Sequence, residues 1–75
     1  MDKGVKIGQV AKKYHLSIDR IYFYINYGLI VPPRPQGQYY FDVKTIQDLE
    51  FILHLKSLHF SLKEIHKILS LYRVS

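Results

Sequence analysis

Residues 7–29 read IGQVAKKYHLSIDRIYFYINYGL and decide the fold of this chain. The first apolar residues of this stretch recur at the spacing of one helical face, and they are Ile7, Val10, Ala11 and Tyr14. A turn at 15–17 follows, in which Ser17 is a favourable N-cap for a second helix over 18–27. Gly28 is placed to end that helix in the left-handed conformation. The stretch therefore predicts two short helices joined by a three-residue turn, which is a helix-turn-helix.

The segment after the second helix is too rich in proline to be helical. Three prolines lie between residues 32 and 35, Gly37 marks a turn, and the aromatic residues that follow favour a strand. We expect a short β-hairpin with arms near 31–34 and 38–41. Such a wing beside the second helix lets one domain touch the major groove of DNA and the flanking phosphates together.

Two more helices are predicted after the hairpin. Asp42 is placed to cap a third helix from Val43 to about Leu58, and Ser61 with Glu64 forms a capping box before a fourth. The fourth helix has one wide apolar face, made by Leu62, Ile65, Ile68, Leu69 and Tyr72. The predicted fold class is mainly α: a winged helix-turn-helix of four helices with a short two-stranded β-hairpin wing.

Most of the excess of positive over negative charge lies in the first half of the chain. The formal net charge is +5 over 75 residues, a length that corresponds to one small domain. Residues 1–41 hold six Lys and Arg against two Asp, whereas residues 42–75 hold five Lys and Arg against four acids. A surface for a polyanionic partner is therefore expected in the first half.

The composition argues against several other functions. The chain contains no cysteine, and its histidines do not show the spacing of a helical metal site, so we predict no metal. No nucleophile–base arrangement or phosphate-binding glycine loop is present, which predicts neither an enzyme nor a cofactor. No signal peptide or membrane-spanning run is seen, and we expect a cytoplasmic protein without a membrane partner.

Several short motifs occur in an order and spacing that is specific when they are taken together. They are IGQVA at 7–11, LS at 16–17, FY at 23–24, GLI at 28–30, Arg34, GQYYFD at 37–42, Leu49, Phe51, Ile52, Leu55 and FSLKEI at 60–65. In these motifs the chain resembles the DNA-binding domain of the MerR-type transcription regulators over roughly residues 5–70.

The resemblance implies a bacterial regulator that binds double-stranded DNA as a winged helix-turn-helix. The implied organisation is a single domain over 1–75, with the helix-turn-helix at 7–27, the wing at 31–41 and a second helix pair at 43–72. The family's dimerisation helix and effector region would be absent. We expect a homodimer for the full-length protein, and the oligomeric state of this chain stays open between monomer and dimer.

The resemblance also implies a set of DNA-binding residues. In the family, the positions of Tyr24 and of the wing arginine Arg34 commonly touch phosphate, and the exposed face of the second helix reads bases or backbone. The predicted DNA-binding residues are Lys12, Lys13, Ser17, Asp19, Arg20, Tyr22, Tyr24, Arg34, Gln38 and Tyr39.

Three positions depart from the pattern of the family. The family usually has arginine where this chain has Tyr22 and Tyr39, and an acidic residue where it has Ile25. Two cationic contacts are thus missing from the expected surface, which predicts a weaker dependence of binding on salt.

Two alternatives remain open on the sequence. One is an excisionase-like architectural factor, because such factors share the winged scaffold and are often this short. The other is a protein-interaction module that has kept the fold and lost its affinity for DNA, since Tyr22, Tyr39 and Ile25 suggest an exposed aromatic patch, which suits contact with a protein.

Overall fold

Four α-helices and a two-stranded antiparallel sheet make up the domain in the computed structural model, which describes residues 4–74. In chain order the elements are β1 (Val5–Lys6), α1 (Ile7–Tyr14), α2 (Ile18–Asn26), β2 (Tyr40–Phe41), α3 (Val43–Ser57) and α4 (Leu62–Val74), with a 3₁₀ turn at Pro35–Gly37 between α2 and β2. The predicted mainly α fold class is confirmed.

The helix-turn-helix forms as its capping residues predict. The Oγ of Ser17 accepts a hydrogen bond from the backbone N–H of Arg20 at 3.0 Å, so it satisfies a donor that the first turn of α2 leaves free. His15 adopts the left-handed conformation at the end of α1, with φ of 56°. Gly28 does so after α2, with φ of 85°, and α2 ends at Asn26, one residue before the predicted boundary.

The pairing of the strands differs from the prediction. β2 pairs with β1, so that Phe41 lies opposite Val5 and Tyr40 opposite Lys6, and residues 31–34 do not form a strand. Prolines lack the N–H that a strand ladder needs, and three of the five residues at 31–35 are prolines. The first arm of the wing can therefore accept hydrogen bonds but can hardly donate them.

The wing (residues 31–41) still folds back on itself in the register of a hairpin. The N–H of Gln38 donates to the carbonyl of Pro35 at 3.2 Å, and the N–H of Tyr40 donates to the carbonyl of Pro33 at 2.9 Å. Gln36 and Gly37 between them both have positive φ, as in the two-residue turns that match the twist of a hairpin. The wing is thus a hairpin in which the second arm donates hydrogen bonds to the first, and the strand in this second arm, β2, pairs with β1.

The core lies where the helix-turn-helix meets the second helix pair. Its buried apolar residues are Val10, Ala11, Ile21, Tyr24, Leu29, Ile30, Phe41, Leu49, Ile52, Leu55, Ile65 and Leu69. Ile25 packs against this core, while Tyr72, predicted on the apolar face of α4, is 68% exposed. The capping residues of the second helix pair act as predicted: Asp42 accepts from Thr45, and Ser61 and Glu64 bond reciprocally.

Candidate nucleic-acid interface

Four of the predicted DNA-binding residues lie at the N-cap of α2 or in its first five residues, and all of them are exposed. They are Ser17, Asp19, Arg20 and Tyr22. Within residues 4–74, no hydrogen bond or ion pair engages the guanidinium of Arg20. Its charge is therefore available to an anion outside the domain.

The ring of Tyr24 is buried, whereas its hydroxyl reaches the surface. Its ring belongs to the core, and the residue is only 3% exposed. Its hydroxyl makes no hydrogen bond to the described residues. Every side-chain oxygen that is buried in this part of the chain has a hydrogen-bond partner, so a hydroxyl without one is not buried. The hydroxyl must therefore reach the surface, where it can donate to an external acceptor.

The wing arginine is held at two points. The Nε–H of Arg34 donates to the carbonyl of Gly37 at 3.1 Å, which closes the tip of the wing. The guanidinium carbon lies 4.5 Å from the centre of the Tyr39 ring, a cation–π contact. An arginine has five N–H donors, so the donors of the two terminal nitrogens are left for another partner. Gln38, next to Tyr39, is exposed.

Tyr22 and Tyr39 join α2 to the wing. Their ring centres lie 6.1 Å apart with the planes at 63°, an edge-to-face pair. The two tyrosines therefore contact each other, and Tyr39 also contacts Arg34. Reasoning from the sequence missed this contact, because 17 positions separate the two residues and no spacing pattern links them.

Lys12 and Lys13 lie in the last turn of α1, where positive charge complements the negative end of the helix dipole. Both are exposed, and the Nζ of Lys13 lies 5.5 Å from the centre of the Tyr14 ring. The hydroxyl of Tyr14 in turn donates to Glu50 on α3 at 2.7 Å. This bond raises the pKa of Tyr14 to about 12, because the ionised phenolate would lose the bond and face a carboxylate.

A second contact missed by sequence reasoning holds the end of α2 in place. Arg73 on α4 donates to the carbonyl of Gly28 at 3.2 Å and to that of Leu29, and its guanidinium lies 3.5 Å from an Oδ of Asp48 on α3. One side chain on α4 thus links the segment that follows α2 to α3. The basic last turn of α4 was visible in the sequence, but its partners, 44 and 45 residues away, were not.

The described part of the chain shows neither a metal site nor a membrane span. Residues 4–74 bring together no group of three or more His, Asp or Glu side chains that would suit a metal ion. None of their helices has the length and apolar character needed to cross a membrane.

The comparison with known families decides what this surface belongs to. Residues 5–71 match the model of the MerR HTH family regulatory proteins, which is most of the chain. The chain belongs to the MerR HTH family. It is thus a helix-turn-helix DNA-binding domain of MerR-type transcription regulators, and since this family is one of regulators, the prediction that the chain is not an enzyme is confirmed.

Two members of the MerR HTH family illustrate the relationship. The chain is 36% identical over 73 residues to the HTH-type transcriptional regulator ZntR homolog of Haemophilus influenzae. The aligned part covers 95% of this chain and 54% of the relative. It is 40% identical over 67 residues to an uncharacterized HTH-type transcriptional regulator of Synechocystis sp., and this aligned part covers 87% of this chain and 49% of the relative. The chain therefore spans about half the length of these curated relatives.

Proposed function

We propose that this MerR-family domain binds double-stranded DNA with sequence preference, placing α2 in the major groove and the wing on the flanking phosphates. One observation carries the proposal: the Tyr22–Tyr39 contact sets the wing directly beside the exposed side of α2. The major groove of B-DNA is wide enough to admit an α-helix, and a wing at its side meets the adjacent backbone.

The distribution of charge supports this orientation. Arg20 on α2 and Arg34 on the wing both present guanidinium donors to solvent. Among the acidic residues, Asp19 lies beside Arg20 on α2, whereas Asp42, Asp48 and Glu50 lie on or next to α3, where each is bound by another side chain. Phosphate contacts supply most of the affinity of such domains, so a surface with free arginines is the side expected to face DNA.

We assign the roles as follows. Arg34 and the hydroxyl of Tyr24 contact phosphate, and Arg20 contacts a base or a phosphate near the start of α2. The remaining predicted residues surround these and contribute at the edges of the interface: Lys12, Lys13, Ser17, Asp19, Tyr22, Gln38 and Tyr39.

The alternatives receive less support. Both relatives are named as transcriptional regulators, which favours a regulator over an excisionase-like factor. Ile25 packs against the core and the Tyr22 ring contacts the Tyr39 ring, so the three residues that suggested a protein-interaction module make contacts within the domain, although Tyr22 stays 40% exposed. A homodimer of the full-length protein remains a prediction from the resemblance, and a cytoplasmic location remains a prediction from the sequence.

The experiment is selection of binding sites from a pool of random duplexes, followed by fluorescence anisotropy across a salt series. We expect an enriched sequence, and a slope of log affinity against log salt of about −0.9 for each phosphate contacted. Arg20→Ala and Arg34→Ala should weaken binding, and loss of one phosphate contact should make the slope shallower by about 0.9. If Arg20 contacts a base instead, Arg20→Ala should relax the preference at one base pair.

Lys67→Ala is the matched control, because it removes one positive charge from an exposed position on α4. It should leave the affinity and the slope nearly unchanged. Absence of any duplex binding at low salt, or an equal effect of all three substitutions, would contradict the proposal.

A further inference from the structure

Three side chains form a continuous contact between α2 and the tip of the wing, which we call the aromatic bracket: Tyr22, Tyr39 and Arg34. Tyr22 meets the Tyr39 ring edge to face at 6.1 Å, and the guanidinium carbon of Arg34 lies 4.5 Å from the centre of that ring. The bracket therefore joins α2 to the one wing cation that the proposed function assigns to phosphate.

The bracket limits the freedom of Arg34. A free arginine side chain has many rotamers, and ordering them on binding costs conformational entropy. Here the Nε is bonded to the carbonyl of Gly37 at 3.1 Å, and the Tyr39 ring covers the guanidinium. A guanidinium held in this way is already oriented before DNA arrives, so less entropy remains to be lost on binding.

Tyr39 is itself fixed by its second contact. It is half-buried, whereas Tyr22 is 40% exposed and belongs to the rigid frame of α2. The Tyr22 ring thus supports the Tyr39 ring, which in turn supports Arg34. The aromatic character of both residues is what this arrangement requires, and their hydroxyls take no part in it.

We propose that Tyr39, supported by Tyr22, is a positioning residue that holds the guanidinium of Arg34 in the orientation needed to bind a DNA phosphate. The inference rests on the proposed function and goes further, because it assigns the effect of Tyr39 to its ring acting through Arg34. The competing explanation is that the Tyr39 hydroxyl donates to phosphate directly. The two explanations differ in whether loss of the Tyr39 hydroxyl or loss of the Tyr39 ring weakens DNA binding.

The first test measures duplex affinity across a salt series for the full chain and its variants. Tyr39→Phe keeps the ring and should bind within about twofold of the unchanged protein. Tyr39→Leu removes the ring and should bind about three- to tenfold more weakly, the range expected for loss of an exposed cation–π contact and its orienting effect. Its salt slope should move towards that of Arg34→Ala.

The double variant Arg34→Ala/Tyr39→Leu separates action through Arg34 from independent action. If Tyr39 acts through Arg34, adding Tyr39→Leu to Arg34→Ala should weaken binding by less than about twofold. Lys67→Ala again serves as the control for charge. Urea unfolding of each variant verifies that every sample compared is folded.

The second test needs no DNA. In the free protein, the ring current of Tyr39 should shift the NMR signals of the Arg34 side chain, and its Nε–H should exchange slowly because it is bonded to Gly37. Tyr39→Phe should preserve both signatures and Tyr39→Leu should remove the ring-current shift.

Several results would overturn the inference. These are equal losses of affinity for Tyr39→Phe and Tyr39→Leu, additive losses in the double variant, or an unshifted Arg34 side chain in the free protein. If Tyr39→Leu has no effect while Arg20→Ala still weakens binding, the bracket fails and the proposed function stands. If the unchanged protein binds no duplex, both fail.

Discussion

Replacing Arg73 by alanine tests whether α4 stabilises the end of α2. Arg73 donates to two backbone carbonyls, those of Gly28 and Leu29, and pairs with Asp48 at 3.5 Å. Leu29 is fully buried, so the substitution leaves a carbonyl without a partner, and such a loss costs about 1–3 kcal/mol. Water can reach the half-buried Gly28 more easily, which reduces the cost there.

The ion pair adds a smaller amount. The Arg73 side chain is 28% exposed and that of Asp48 15%, and partly exposed pairs contribute at most about 1 kcal/mol. We therefore expect Arg73→Ala to lower the free energy of unfolding by about 2–3 kcal/mol, a large share of the stability of a small domain. The midpoint of thermal unfolding should fall by roughly 10–20 °C.

The assay is urea unfolding followed by circular dichroism. Lys67→Ala is the control, since it makes the same change of charge on the same helix at an exposed site. Asp48→Asn removes the ion pair with Arg73 together with the one that Asp48 makes with Lys44, each at 3.5 Å, but leaves the carbonyl bonds of Arg73 in place, so it should cost less than Arg73→Ala. If Arg73→Ala and Lys67→Ala agree within about 0.5 kcal/mol, Arg73 does not stabilise this junction.

Three further predictions concern a hydrogen bond between α1 and α3, a helix cap and the turn of the wing. The pKa of Tyr14, raised to about 12, means that its bond to Glu50 stabilises the domain below pH 10 and that this stability is lost as the pH rises from 10 to about 12. Ultraviolet titration should show a late ionisation of Tyr14, and Tyr14→Phe should remove that step. The hydrogen bonds from Thr45 lower the pKa of Asp42 in the folded protein. The contribution of Asp42 to stability is therefore present above the pKa that it has in the unfolded chain, and it is lost as the pH falls through the lowered value. Asp42→Ala should cost about 1 kcal/mol at neutral pH and less in acid, measured by urea unfolding at several pH values. Gln36 has φ of 54°, a conformation that asparagine tolerates better, so Gln36→Asn should raise the urea midpoint slightly.

Local signals in the sequence predicted most of the fold. The caps at Ser17, Asp42 and Ser61 and the stop at Gly28 depend on residues only a few positions apart, and each lies where expected. The partner strand of Tyr40–Phe41 was predicted wrongly, because the prolines remove donors from the adjacent arm and the N-terminal segment takes its place.

The candidate site was harder to predict than the fold. Arg20 and Arg34 could be proposed from their elements and from the family resemblance. The contacts that organise them could not, since Tyr22–Tyr39 and Arg73–Leu29 join residues 17 and 44 positions apart. Such contacts depend on how the helices pack, and neither periodicity nor capping carries that information.

The central claim is that α2 and the wing form one surface that faces DNA. It is tested most directly by mapping amide chemical shifts during titration of the full chain with its selected duplex. The account predicts that the largest shifts fall at the start of α2 and at the tip of the wing, around Arg20 and Arg34, with little change at Lys67 on α4. Shifts concentrated on α3 and α4, or a response to a protein partner alone, would contradict it.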